Sequence, residues 1–347
     1  NVQQQQEVMR LELEGEFEKE RVADSVAFAK QKLVDDAENQ AKLDRAANFR
    51  YLMLVGLIAL SGLGIVLFRS NRRKKKDNET ISLQKLEVEE KNKEITDSIN
   101  YAERIQRSFL ATREILDNNL NEYFVFFSPK DVVSGDFYYY RHFQMNGSSK
   151  HIIAAIDCTG HGVPGAFLSL LGNNLMNSIV GENPNRPANQ ILMELNKRLI
   201  DSFKRFSEER STDGMDVALC VVDEAASKIS FSGAFRPLFY IQNEELKVIN
   251  GDKHPVGGDH YEYERKYTLH EIDCAKDDVF YIFSDGYVDQ FGGANQKKFM
   301  TKNFKNLLLS VHKESLEEQF TTLKKAINDW KQDEEQVDDI TVVGFRV

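Results

Sequence analysis

Four short aspartate motifs stand at the edges of apolar, β-like runs: SGDFYYY (Ser134 to Tyr140), IDCTGHGVPGA (Ile156 to Ala166), FSDGYVDQ (Phe283 to Gln290) and DDITVV (Asp338 to Val343). Hard divalent cations prefer oxygen ligands, and a pair of them can activate water for attack on phosphorus. Carboxylates projecting from several strand ends into one cleft would build such a centre. Asp157 closes the apolar run Ile152 to Ile156 and enters a glycine-rich turn, after which Pro164 suits the first turn of a helix. A carboxylate there can bridge two metals, with the Cys158 carbonyl as a further oxygen. Asp285 follows Val279 to Phe283 in Ser-Asp-Gly, Asp338 precedes the last strand, and Asp136 opens a strand after Gly135. Each has a plain structural alternative: a strand-to-helix turn, a β-turn, or a solvated carboxylate at a strand start. Their joint agreement with strand edges carries the argument.

The elements that would position these residues begin near Tyr123. Glu122 to Ser128, Asp136 to Gln144, His151 to Ile156, Val217 to Val222, Lys228 to Ser232, Leu238 to Ile241, Val279 to Phe283 and Ile340 to Val347 read as short strands. Asn146-Gly147 and Asn250 to Asp252 supply turn chemistry. Gly165 to Val180, Ala188 to Phe206, Asn303 to His312 and Ser315 to Lys331 read as helices. Hairpins interrupted by helix pairs predict two sheets with helices packed outside. The 121–347 region has room for a sizeable core.

Upstream the texture differs. Residues 1–48 are charged and helical in pattern, with Val22, Val26, Ala29 and Leu33 spaced as a coiled-coil or helix-pair seam. The chain starts at Asn1 within this helical pattern, as the end of a truncated extracytoplasmic sensory module would. Tyr51 to Phe68 carries no charge, and at 1.5 Å per residue such a run is roughly 27 Å long, close to a bilayer's hydrocarbon thickness. RSNRRKKK (Arg69 to Lys76) follows at once, so residues 49–69 are expected to cross a bacterial inner membrane once, with the C-terminal side in the cytoplasm. A long helical segment before the run and no small-residue cleavage site argue against a signal peptide. Within 70–120, Ile81, Val88, Ile95, Ala102 and Phe109 recur at seven, a weak coiled-coil stripe that leaves room for a homodimer through this connector.

Composition excludes some classes. The net charge of -10 argues against nucleic acid as a partner. Three cysteines, none in a C-x-x-C pair, exclude a disulfide framework and a thiolate zinc site. His142, His151, His254, His260, His270 and His312 show no metal-ligand spacing.

Taken in order, S-G-D-F, D-x-x-G-H-G-x-P-x-A, S-D-G and D-D-I-T-V resemble the PPM superfamily of serine/threonine phosphatases (type 2C), in the bacterial branch of SpoIIE and RsbU. The resemblance covers Ser108 to Val347. It implies an α+β fold, a four-layer α/β/β/α sandwich with two Mn²⁺ or Mg²⁺ ions at one end of the sheets. It implies that Asp157 bridges the ions and the Cys158 carbonyl binds one. Asp285 and Asp338 would ligate the other, Asp136 would act directly or through a water, and Asp339 would support from behind. Asp213 and Asp216, flanking a strand, are further candidates whose register does not match cleanly. Where eukaryotic relatives carry the histidine thought to protonate the leaving group, this chain has Thr159; His161, two residues on, is the alternative general acid, or simply packs beside the turn. The implied activity is hydrolysis of phosphoserine or phosphothreonine on a cytoplasmic signalling protein, such as a STAS-type regulator. Two alternatives remain: a catalytically silent membrane scaffold, or a hydrolase of small phosphoesters.

Overall fold

The computed structural model describes residues 2–145, 148–204, 212–258 and 263–346. The turn expected at Asn146-Gly147, the end of the helix expected to reach Phe206, His260 and Val347 lie outside the described residues.

The chain divides into two compact units, Asn1–Lys91 and Asn92–Val347. Helix α1 (Val2–Phe109) makes up the described part of the first and opens the second. In the first unit Tyr51 to Phe68 is long and apolar enough to cross a membrane, and none of this stretch is buried.

The second unit adds α2 (Arg113–Asp117), whose Thr112 cap accepts the Ile115 N–H, and thirteen strands among the described residues. Five form one antiparallel sheet in the order β1 (Tyr123–Ser128), β13 (Ile340–Arg346), β10 (Val279–Phe283), β6 (Leu238–Gln242), β7 (Glu245–Ile249). The second sheet runs β2 (Phe137–Met145), β3 (Ser148–Cys158), β4 (Gly214–Asp223), β5 (Lys228–Ala234), β9 (His270–Asp273), with β8 (Val256–Gly257) also on β4. β11 (Phe291–Gly292) and β12 (Lys297–Lys298) pair as a small ribbon.

Period-two alternation sorts the side chains into three apolar layers. Ile152, Ala154 and Ile156 of β3, with Val217, Leu219 and Val221 of β4, pack under helices α3 (Gly162–Glu182) and α4 (Ala188–Lys204). Ile153, Ala155, Ala218 and Cys220 point the other way, meeting Phe280, Ile282, Val343 and Phe345 from the facing sheet. Val279, Tyr281, Phe283, Ile340 and Val342 pack beneath α6 (Thr301–Val311) and α7 (Leu316–Lys331). The result is the expected four-layer α/β/β/α sandwich. α7 begins with a reciprocal capping box between Ser315 and Glu318, which the Ser-Leu-Glu-Glu sequence encodes.

The expected strands and helices are present; β3, β4, β5, β6 and α3 run longer than expected, and the rest match or shift by one or two residues. β7 and β9 were not expected. Both are outer strands of their sheets, only partly buried, so their sequences (ELKVI, HEID) lack the apolar signature of a central strand.

Candidate active site

Strand alternation aims the candidate carboxylates into the layer between the sheets. Asp157 continues the Ile153 and Ala155 side of β3, and Asp216 continues the Ala218 and Cys220 side of β4. The two stand opposite each other in the antiparallel register. Asp216 therefore lies within its strand, not beside it as the sequence suggested. Asp285 follows β10 and caps the one-turn helix α5 (Gly286–Asp289) rather than sitting in a β-turn.

The motifs are stitched to one another through backbone. Gly135 lies so close to the Gly160 and Cys158 carbonyls that a Cβ there would collide, joining the first motif to the second. Gly286 is pressed on the Asp339 carbonyl in the same way. Ser284 donates its N–H to the Thr341 carbonyl (2.9 Å) and its hydroxyl accepts the Thr341 N–H (3.0 Å), joining the third motif to the fourth. Asp339, 2% exposed, accepts from the Lys130 N–H through Oδ1 and the Gly135 N–H through Oδ2, both at 2.7 Å. Its carboxylate thus holds the loop leading to Asp136.

At the centre stands a residue that the sequence did not single out. Arg236 Nη2 lies 2.7 Å from Asp157 Oδ2, 2.8 Å from Asp285 Oδ2 and 3.0 Å from Asp216 Oδ2. It sits where Phe235-Arg236-Pro237 carries the chain from β5 in one sheet to β6 in the other. A basic residue before proline at a strand start is a faint signal, with nothing in it to point towards Asp157. Gln106 was also missed. It is the only described α1 residue that is buried, and its amide accepts from the Ser134 N–H (3.0 Å) while donating to the Ser134 carbonyl (2.6 Å) and the Ser169 hydroxyl (2.8 Å).

Electrostatics reflect the crowding. Burial, together with Asp285, Asp216 and Asp338, raises Asp157 to about 7 against the pull of Arg236. Burial and Asp285 raise Asp216 to about 6, again opposed by Arg236. Burial, then the Asp157 charge, pushes Asp136 well above the carboxylate range, and its Oδ2 is buried without a hydrogen-bond partner. Asp338 is raised chiefly by burial, although the Asp339 N–H donates to it at 2.8 Å. Burial disfavours the charge on Arg236, but the three carboxylates outweigh it and raise its pKa.

Other candidates are placed elsewhere. Asp213 precedes β4, and its carbonyl accepts the Gly258 N–H at 3.0 Å; it is not among the carboxylates around Arg236. The Cys158 thiol belongs to the core under α3 and α4, so only its carbonyl could serve as a ligand. Thr159 is pinned to Gly214, its hydroxyl donating to the carbonyl and accepting from the N–H at 3.1 Å. His161 caps α3 without a side-chain cap bond, is 55% exposed, and pairs through Nδ1 with Asp131 at 2.8 Å.

Among the described residues no three His, Cys, Asp or Glu side chains close to metal-binding geometry; the Arg236 guanidinium stands between Asp157, Asp216 and Asp285. The donor chemistry nevertheless fits hard cations. The set is all oxygen, carries more negative charge than one arginine balances, and includes the orphaned Asp136 Oδ2.

The profile of the family described as Stage II sporulation protein E (SpoIIE) matches residues 148–347, more than half of the chain. The chain belongs to the SpoIIE family. Among solved structures it is similar to the SiaA-PP2C domain of Pseudomonas aeruginosa, at 29% identity and a TM-score of 0.65, over 74% of this chain and 98% of that one. It is similar in fold to the PP2C phosphatase domain with a regulatory-domain fragment of the cell fate determinant SpoIIE from Bacillus subtilis. That match has 16% identity and a TM-score of 0.50, over 65% of this chain and 63% of that one. Comparison with curated proteins gives no match. The second unit is thus a PP2C-type serine/threonine phosphatase domain of the SpoIIE family, as the motif order implied.

Proposed function

We propose that the protein is a membrane-anchored, Mn²⁺- or Mg²⁺-dependent phosphatase that removes phosphate from serine or threonine of a cytoplasmic signalling protein, with a STAS-type regulator as the substrate class. The observation that carries it is the convergence of the Asp157 and Asp216 carboxylates from paired strands and the Asp285 carboxylate from the turn after β10 within 3.0 Å of one nitrogen. Asp157, Asp216, Asp285 and Asp338 would hold two ions, with the Cys158 carbonyl and Asp136 completing the oxygen set. Bound there, the ions supply Lewis acidity towards phosphoryl oxygens and a nucleophilic water near neutral pH. Asp339 keeps Asp136 and its loop in place through the Lys130 and Gly135 amides. His161, whose Nδ1–H is held by Asp131, would present Nε2 to the leaving seryl or threonyl oxygen and would give it a proton only from the imidazolium form.

A covalent phosphocysteine has no support: the Cys158 thiol is in one core, Cys220 is buried between the sheets, and Cys274 packs against that layer after the edge strand β9. Retention of every motif carboxylate weighs against a silent scaffold. The exposed apolar run of α1 and the basic residues after it support a single inner-membrane span with the phosphatase unit in the cytoplasm. The heptad stripe before Phe109 supports pairing of two copies through the connector.

The test is a Mn²⁺-dependent assay of the full chain in detergent, offering a phosphoserine protein, free nucleotides and small phosphoesters. Hydrolysis of the phosphoprotein, abolished by EDTA and restored by Mn²⁺, is expected. Turnover confined to nucleotides or small phosphoesters would replace this reading with the small-substrate one, and no metal-dependent turnover on any of them would favour the scaffold.

A further inference from the structure

We infer that Arg236 is an internal counter-ion that occupies the carboxylate cluster of the metal-free protein and must withdraw before divalent ions are held there. This rests on the metal dependence proposed above.

The geometry supplies the argument. Arg236 Nη2 has two hydrogens, and they serve Asp157 and Asp285 at 2.7 and 2.8 Å; Asp216, at 3.0 Å, is met as an ion pair. One cation therefore stands where three carboxylates from two sheets meet, its side chain 16% exposed. Without it, buried like charges would face each other unscreened, a costly arrangement. With it, the same oxygens that would ligate metal are already engaged. A divalent ion and this guanidinium cannot share Asp157 Oδ2 and Asp285 Oδ2 at these distances without facing each other at close range.

The side chain is the part free to move. Its backbone is fixed: Phe235 has φ of 57°, in the left-handed region, the Arg236 N–H donates to the Ala234 carbonyl at 2.6 Å, and Pro237 follows. By contrast Nε is buried with no hydrogen-bond partner, so little besides the carboxylates holds the guanidinium. Two divalent ions offer the cluster more positive charge than one arginine. The exchange favours metal while lowering its net affinity by the interaction that Arg236 gives up. The metal-free domain is thereby stable, and the ions bind more weakly than the bare carboxylates would allow.

The experiment uses the full chain in detergent, as wild type, Arg236→Gln and Arg236→Lys. Calorimetric Mn²⁺ titration should show binding roughly tenfold or more tighter in Arg236→Gln, the weight of a charge-assisted hydrogen bond. Thermal unfolding of the metal-free variant should occur at lower temperature than wild type, with the gap narrowing at saturating Mn²⁺. Dicarbonyl labelling read by mass spectrometry should find Arg236 protected without metal and modified when Mg²⁺ is added. If Arg236→Gln fails to fold, Arg236→Lys and the wild-type labelling still decide. Unchanged Mn²⁺ affinity in the variants, or continued protection of Arg236 in Mg²⁺-saturated protein, would overturn the inference while leaving metal dependence standing. No Mn²⁺ binding in the wild type would overturn the metal reading itself.

Discussion

At the scale of single residues, the aspartates of this domain divide by what surrounds them. Asp157, Asp216 and Asp285 crowd one guanidinium, so they repel one another and gain little stability from their position. Asp285→Ala should therefore leave metal-free thermal stability near wild type while weakening Mn²⁺ binding and lowering turnover roughly a hundredfold or more, the scale seen when one preorganised electrostatic group is lost. A melt by circular dichroism beside a Mn²⁺ titration checks both halves; wild-type turnover in the variant would remove Asp285 from the site. Asp339 is a different case, since each of its oxygens accepts a backbone N–H. Asp339→Asn turns one acceptor into an NH₂ group facing a donor, at Lys130 or at Gly135. A cost of about 1–3 kcal/mol in unfolding free energy is expected, measured by urea denaturation. An unchanged midpoint would mean that the loop carries itself.

At the scale of elements, the end of α1 is where the connector meets the catalytic architecture. Gln106 satisfies both backbone groups of Ser134, two residues before Asp136, and Asn173 of α3 donates to the Phe109 carbonyl at 3.3 Å. Gln106→Ala would leave the buried Ser134 N–H without its partner and its carbonyl with only the Ser169 hydroxyl at 3.4 Å, an expected loss of about 1–3 kcal/mol. If the clamp also positions Asp136, half-maximal activation should need more Mn²⁺ than in the wild type, whereas a purely packing role would leave that concentration unchanged. A Mn²⁺ activation curve on the purified variant separates the two. The heptad stripe in the same helix made apolar positions visible, yet the residue that docks is a polar one between them.

For the molecule as a whole, one helix carries an uncovered apolar run and a basic flank into a unit whose sheets and helices bury their own apolar faces. Placed in a bacterial inner membrane, Arg69 to Lys76 should stay on the cytoplasmic side. A fluorescent reporter fused after Val347 should then light the cytoplasm, and a cysteine introduced at Gln4 should react with an impermeant thiol reagent added outside. Reaction only after permeabilisation would reverse the proposed orientation.

Periodicity and punctuation alone determined most of the architecture: central strands such as Val279 to Phe283, the capped helix after Ser315, the apolar run of Tyr51 to Phe68, and strand-edge places for Asp136, Asp157, Asp285 and Asp338. These are legible because the signal is local, a side-chain period of two or 3.6 closed by turn or cap chemistry. The outer strands β7 and β9 escaped because partial burial erases that period. Only the tertiary structure decided that Asp216 faces Asp157 across a strand pair, that Asp213 does not join it, that Thr159 is pinned to Gly214, and that Arg236 and Gln106 reach the motifs at all. Arg236 lies 79 residues from Asp157 and Gln106 lies 28 from Ser134. Such partners meet through sheet register and layer packing, and no spacing within either segment records the encounter.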